Sequence, residues 1–133
     1  RQMPPGSGGA TFLPHLWMSN PPYGDAPSRA AFVGLTGDTN PASLYRAVLE
    51  GIAFESHLCL NGLASVGPID RIVAIGGSTR NDLLMEIKAN VYGRPVTIGP
   101  RRAALPTIRS CNEVFVEGSH YSELNFILRL SYP

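Results

Sequence analysis

The clearest ordering of apolar and polar positions lies between Ile72 and Arg94, which reads IVAIGGSTRNDLLMEIKANVYGR. Ile72, Val73, Ala74 and Ile75 form an apolar run without polar alternation, which predicts a strand covered on both faces in a mostly parallel sheet. Gly76 and Gly77 end it, and Ser78 or Asn81 can cap the helix that follows. On that helix Leu84, Ile87 and Val91 recur at helical spacing, while Asp82, Glu86, Lys88 and Asn90 are expected to face elsewhere. Gly93 supplies a C-terminal stop and Pro95 forbids continuation, so Val96, Thr97 and Ile98 read as the next strand. The whole is a strand, helix, strand unit.

Upstream, Ala31 to Leu35 is a short strand candidate, and Asn40-Pro41 offers a helix cap followed by proline at the first helical position. The long helix that follows carries Leu44, Ala47, Val48, Gly51, Ile52 and Leu58 on one broad stripe. Arg46 and Glu50, four apart, can pair across one turn. Gly51 costs about 1 kcal/mol of helix propensity relative to Ala, which points to close helix packing there. Arg1 to Ala10 and the Pro-, Gly-, Asn- and Asp-rich run from Trp17 to Arg29 are expected as loops, the second of them ordered. The Gly-Ser-Gly-Gly run ending at Gly9 has no following Lys and reads as a flexible connection. Asn61 to Asp70 is a turn-rich link back to the strand at Ile72, which gives an α/β layer. In the tail, Val114 to Val116 is a strand candidate, and a weak helical pattern runs through Leu124, Ile127 and Leu128.

Composition narrows the function classes. With 133 residues, 44% of them hydrophobic, and a formal net charge of +1, the chain can bury roughly two-thirds of its unfolded surface, enough for one core. Charge so near zero gives no reason to expect a nucleic-acid partner, and two charges at Arg101-Arg102 read as solvated. No apolar run is long enough for a membrane span, and the first residues lack the pattern of a signal peptide, so a cytoplasmic location is expected. Cys59 and Cys111 are expected to be reduced and buried. His15, His57 and His120 stand apart in sequence from any second ligand, so no metal site is expected.

The candidate chemistry sits at the glycine pair. Adjacent glycines at a strand-to-helix turn let backbone approach a ligand closely, and helix amides favour an anion such as a nucleotide phosphate. A tight turn needs the same residues. Neither the Rossmann G-x-G-x-x-G nor the P-loop G-x-x-x-x-G-K-[ST] is present, and a dinucleotide domain would also need an acidic residue after a second strand.

Two blocks of residues resemble the FGGY carbohydrate kinases, members of the actin-like, hexokinase-like ATPase superfamily. One is Ile75-Gly76-Gly77-Ser78-Thr79-Arg80-Asn81, closing with Gly93-Arg94-Pro95-Val96; the other is Ala30 to Thr36 followed by Leu44 to Phe54. The resemblance implies an α/β fold, part of an actin-like (ribonuclease H-like) ATPase domain with a mixed sheet and packed helices. It covers residues 12–98 as a partial C-terminal domain, after a loop or linker remnant at 1–11 and before an unassigned tail at 99–133. Ser43 stands where the family more often has an acidic or amide residue. After Ile98 the family's small-residue helix is missing, Pro100 and Pro106 leave little room for one, and a frame shift or truncation is the expectation.

The resemblance further implies a kinase that moves the γ-phosphoryl group of Mg2+-bound ATP to a sugar or polyol hydroxyl. Gly77 would place its backbone against the nucleotide, Gly76 would permit the turn, Asn81 would reach the adenine or ribose side, and Ser78 and Thr79 would add amides or hydroxyls. Trp17 and Asn20 would lie toward a neighbouring domain. The family's catalytic aspartate belongs to a motif that Asp25, Asp38, Asp70 and Asp82 do not form, and the sugar-binding N-terminal domain is absent, so the chain is expected not to catalyse alone. The alternative is a non-enzymatic relic or partner-binding module of the same fold, with its exposed inter-domain face open to self-association.

Overall fold

The computed structural model describes residues 3–19, 22–99, 112–117 and 126–130. The chain divides into two compact units, Arg1–Cys59 and Leu60–Pro133.

In the first unit, strands β1 (Thr11–Leu13) and β2 (Ala31–Val33) pair antiparallel with Phe12 opposite Phe32. Their rings stack at a centroid distance of 4.6 Å. The expected strand to Leu35 stops two residues early. Gly34 turns the chain at φ 77°, and a Cβ there would run into the Gly9 carbonyl. The expected loop between the strands is observed over its described residues, and Arg29 fastens it by donating to the carbonyls of Trp17, Ala26 and Ser28.

Helix α1 (Pro41–Ala64) begins as its sequence predicts. The Asn40 side-chain oxygen accepts from the amides of Ala42 at 3.0 Å and Ser43 at 3.2 Å, closing two donors that the helix cannot satisfy internally. Ala47, Gly51 and Ala53 are buried and Leu44, Val48 and Ile52 half-buried, but Leu58 leaves the predicted stripe and is 39% exposed. Gly51 approaches a strand instead of a helix, since a Cβ at this position would collide with the Phe12 carbonyl oxygen of β1. Arg46 and Glu50 do pair, Nε to Oε1 at 2.7 Å. The same carboxylate accepts the Gly6 amide at 3.1 Å and the Ser7 hydroxyl at 2.8 Å. Ser7 is fully buried in a 3-10 turn, Ser7–Gly9, with φ 52°. Glu50 thus holds a serine in a conformation that non-glycine residues seldom adopt.

α1 also continues to Ala64 through residues expected to be a turn. The reason is packing: Leu60 belongs to the core of the second unit with Ile72 and Tyr92, and Leu63, Ile69, Val91 and Val96 pack against it. Burying one such side chain contributes about 1.5–3 kcal/mol, more than the local turn preference of Asn61 and Gly62.

That second unit is a four-stranded mixed sheet in the order β4-β3-β5-β6, built from β3 (Arg71–Ile75), β4 (Val96–Ile98), β5 (Asn112–Glu117) and β6 (Phe126–Leu130). β3 runs parallel to β4, with Ile72 opposite Val96, and antiparallel to β5. The strand, helix, strand unit is present, with α2 (Asp82–Tyr92) as the crossover. Coverage of β3 is less even than its apolar run predicts: Ile72 and Ala74 are buried, whereas Val73 and Ile75 are half-buried and Arg71 exposed. The tail strand extends beyond Val114 to Val116, and Ile127 and Leu128 lie in β6 instead of a helix. Antiparallel pairing with β5, Ile127 opposite Phe115, decides that short apolar run, which periodicity alone leaves ambiguous. Leu124, Asn20, Cys111 and Pro100 to Pro106 lie outside the described residues.

α2 buries Leu84 and Ile87, as predicted, but also Lys88, which is 2% exposed. Leu84, Lys88 and Tyr92 repeat every four residues down the inner face. Gly93 ends the helix in the left-handed region at φ 62°.

Candidate functional site

β3 delivers the chain to a turn whose geometry follows from its two glycines. Gly76 takes φ 96°, ψ −174°, a conformation essentially restricted to glycine. Gly77 differs. Its backbone is not left-handed, and a Cβ added there would meet nothing within 4 Å. Nothing within the described chain therefore requires glycine at 77, and both residues are exposed.

A 3-10 turn, Gly77–Arg80, intervenes before α2. It is tied back to Gly76 through the carbonyl oxygen, which accepts from the Thr79 amide at 3.3 Å and the Thr79 hydroxyl at 2.7 Å. Asn81, not Ser78, is the helix cap: its Oδ1 accepts from the Leu84 amide at 3.1 Å. The carbonyl oxygen of Asn81 is thus committed to the helix. Asp82 places a carboxylate in the first turn of α2, where it complements the helix dipole and opposes a second anion. The Gly76 to Ser78 backbone lies one turn ahead of the helix proper. Gly76, Gly77, Ser78 and Asn81 are therefore contiguous on one turn, with Ser78 and Asn81 half-buried.

The candidate acids are scattered. Asp25, Asp38, Asp70 and Asp82 are all exposed, and in sequence only Asp82 stands beside the glycine turn. Among the described residues no group of three His, Cys, Asp or Glu side chains could hold a metal ion, and no helix is long and apolar enough to cross a membrane. Cys59 is a buried free cysteine whose thiol pKa is pushed up to about 11 by burial first and the Glu55 carboxylate second. Burial of the Lys88 ammonium lowers its pKa to about 8. Among the described residues no ion pair reaches Lys88.

One cluster escaped the sequence reading. His15, which stands alone in sequence, meets Ser28 at 2.6 Å through Nδ1 and Glu55 at 3.3 Å through Nε2. The partners lie 13 and 40 residues away, so no local spacing could signal them.

The model for the FGGY family of carbohydrate kinases, C-terminal domain, matches residues 2–106. The chain belongs to the FGGY carbohydrate kinases. It is 40% identical over 94 residues to a glycerol kinase of Gloeobacter violaceus, which covers 69% of this chain and 19% of that protein. Among solved structures, a ligand-bound xylulose kinase from Lactobacillus acidophilus matches with a TM-score of 0.63 and 33% identity over 71% of this chain and 20% of its own. The glycerol kinase of Plasmodium falciparum with ADP matches with a TM-score of 0.65 and 25% identity, over 69% and 19%. The fold is thus that of the actin-like ATPase sugar kinases, and this FGGY chain spans about a fifth of the length of the relatives it matches.

Proposed function

We infer that this chain supplies the nucleotide-facing part of a sugar or polyol kinase, within a reaction that passes the γ-phosphoryl group of ATP to a carbohydrate hydroxyl. The observation that carries the reading is Gly77: exposed, right-handed in backbone, with open space where a side chain would stand. A glycine that the fold itself does not need leaves room for a ligand to lie against the main chain. Gly76 sets the turn, the Gly77 and Ser78 backbone faces the nucleotide, Thr79 braces the turn, and Asn81 holds the helix start behind it. An ADP-containing glycerol kinase among the structural relatives supports the ligand class.

Phosphoryl transfer is achieved by positioning and charge stabilisation, with Mg2+ neutralising the phosphates and a carboxylate receiving the hydroxyl proton. The described residues do not fit the metal's share of this work, since no three ligating side chains converge. They do not fit the base either, because the four aspartates are exposed and dispersed. In this reading the sugar, the metal and the base are held outside the described residues, which bind nucleotide without phosphorylating sugar. A micromolar nucleotide site needs about 8 kcal/mol, and a glycine turn with a nearby helix end supplies only part of that, at about 0.3–1 kcal/mol for the helix end. Affinity in the millimolar range is expected.

The test is an amide-resolved NMR titration of the chain with Mg-ATP. Saturable shifts centred on Gly76, Gly77 and Asn81 are expected. A dispersed, folded spectrum without shifts at that turn overturns the assignment. Sugar phosphorylation by the purified chain alone refutes the division of labour.

A further inference from the structure

Three separate elements of the first unit converge on one imidazole. His15 follows β1, Ser28 precedes β2, and Glu55 projects from α1. His15 Nδ1 lies 2.6 Å from Ser28 Oγ, and Nε2 lies 3.3 Å from Glu55 Oε2. The His15 and Glu55 side chains are only 12% and 11% exposed, and Ser28 is half-buried. The tautomer that serves both contacts carries its proton on Nε2: the serine hydroxyl donates to Nδ1, and Nε2–H donates to the carboxylate.

We propose that Ser28, His15 and Glu55 form a nucleophilic relay that hydrolyses small activated carboxylic esters. The arrangement satisfies the geometric requirement for an activated serine, a base within hydrogen-bond reach and a third group orienting that base. Imidazole accepts a proton at either ring nitrogen, so entry through Nδ1 is chemically equivalent to entry through Nε2.

The loop that carries Ser28 is hydrogen-bonded within itself. The Ser28 amide donates to the Asp25 carbonyl at 3.3 Å. One terminal nitrogen of Arg29 donates to the carbonyls of Trp17 at 2.9 Å, Ala26 at 2.8 Å and Ser28 at 2.8 Å. This clamp holds the loop that carries the nucleophile. Leu16, Trp17 and Met18 expose apolar surface in the same loop, suited to an aryl or acyl group.

In the first step Ser28 Oγ bonds to the ester carbonyl carbon while its proton passes to His15 Nδ1. The tetrahedral adduct collapses by breaking the bond to the alcohol oxygen, which leaves with the proton from His15. Water then attacks the acyl-serine, gives its proton to His15, and that proton returns to Ser28 as the carboxylic acid departs. Glu55 holds the ring. No redox partner or metal is consumed.

Intact-mass and peptide mapping of the full chain after treatment with a fluorophosphonate, together with release of nitrophenolate from p-nitrophenyl acetate, test the proposal. One phosphonyl adduct at Ser28 and ester turnover are expected, and both are lost in Ser28→Ala. His15→Gln keeps a side chain able to bond both neighbours and is expected to slow labelling and turnover by about 100-fold or more, the usual contribution of a general base. Circular dichroism verifies that each variant remains folded. If Ser28→Ala fails to fold, the His15→Gln comparison decides. A folded chain with no adduct at Ser28, or labelling and turnover unchanged in His15→Gln, overturns the relay.

Discussion

Replacing Lys88 by methionine should stabilise this protein. A charged side chain 2% exposed and without an ion pair among the described residues is an energetic liability in the middle of the inner face of α2. Desolvation lowers the ammonium pKa from 10.5 to about 8. At 1.36 kcal/mol per tenfold change in proton affinity, that difference corresponds to about 3 kcal/mol lost at neutral pH. Methionine keeps the length and flexibility of the chain and removes the charge, so Lys88→Met should recover a large part of this sum. The direction with pH follows from the same quantities. Because the folded state holds the proton less tightly, the unfolded state carries more protons between pH 8 and 10.5, and the destabilisation fades as pH rises through that window. Cys59 works in the opposite sense above about pH 9, where its thiol ionises only on unfolding. Urea unfolding of both proteins at pH 7, 8 and 9 isolates the lysine as the difference between them. The expected result is a higher midpoint for the variant at pH 7, with the gap narrowing by pH 9. A lower midpoint for Lys88→Met at pH 7, or a gap independent of pH, would refute the reasoning and mean that the ammonium is compensated.

The glycine turn separates two effects cleanly. Gly77→Ala should leave thermal stability within about 0.5 kcal/mol, since its Cβ meets nothing, yet weaken Mg-ATP binding measured by NMR. Gly76→Ala forces a side chain into φ 96° and should cost about 1–3 kcal/mol in unfolding free energy. Asn81→Ala removes the α2 cap and should cost about 1 kcal/mol, read as a lower unfolding midpoint. Gly51→Ala gains about 1 kcal/mol of helix propensity, but its Cβ must displace the Phe12 carbonyl. A net loss of about 1–3 kcal/mol is expected in urea titration, and a stabilised variant would show that β1 yields easily.

Much of the local structure is legible in the sequence. The Asn40-Pro41 start of α1, the β3-α2-β4 crossover and the left-handed stop at Gly93 all rest on chemistry within a few residues of the chain. Capping, proline geometry and the freedom of glycine act at short range, so they survive whatever the rest of the molecule does. The same holds for the candidate site, whose residues are contiguous from Gly76 to Asn81 and therefore came together by covalent connection alone. The short-range pattern left the cap of α2 open between Ser78 and Asn81, and the 3-10 turn settled it by taking Ser78 into itself.

Tertiary structure decided the remainder. Lys88 has the sequence environment of a solvated residue, and only the packing of Leu84, Lys88 and Tyr92 on one inward face makes it a buried cation. Ile127 and Leu128 carry no periodic signal strong enough to choose between helix and strand, so the choice fell to pairing with β5. The early end of β2, the continuation of α1 to Ala64 and the partner of Gly51 were set by the Gly9 carbonyl, the Leu60 core and the Phe12 carbonyl respectively. His15, Ser28 and Glu55 meet although 13 and 40 residues of chain separate the histidine from its partners. Sequence alone determines the elements whose causes lie within one or two turns of chain; burial, strand pairing and side-chain clusters depend on contacts whose closure only the folded chain provides.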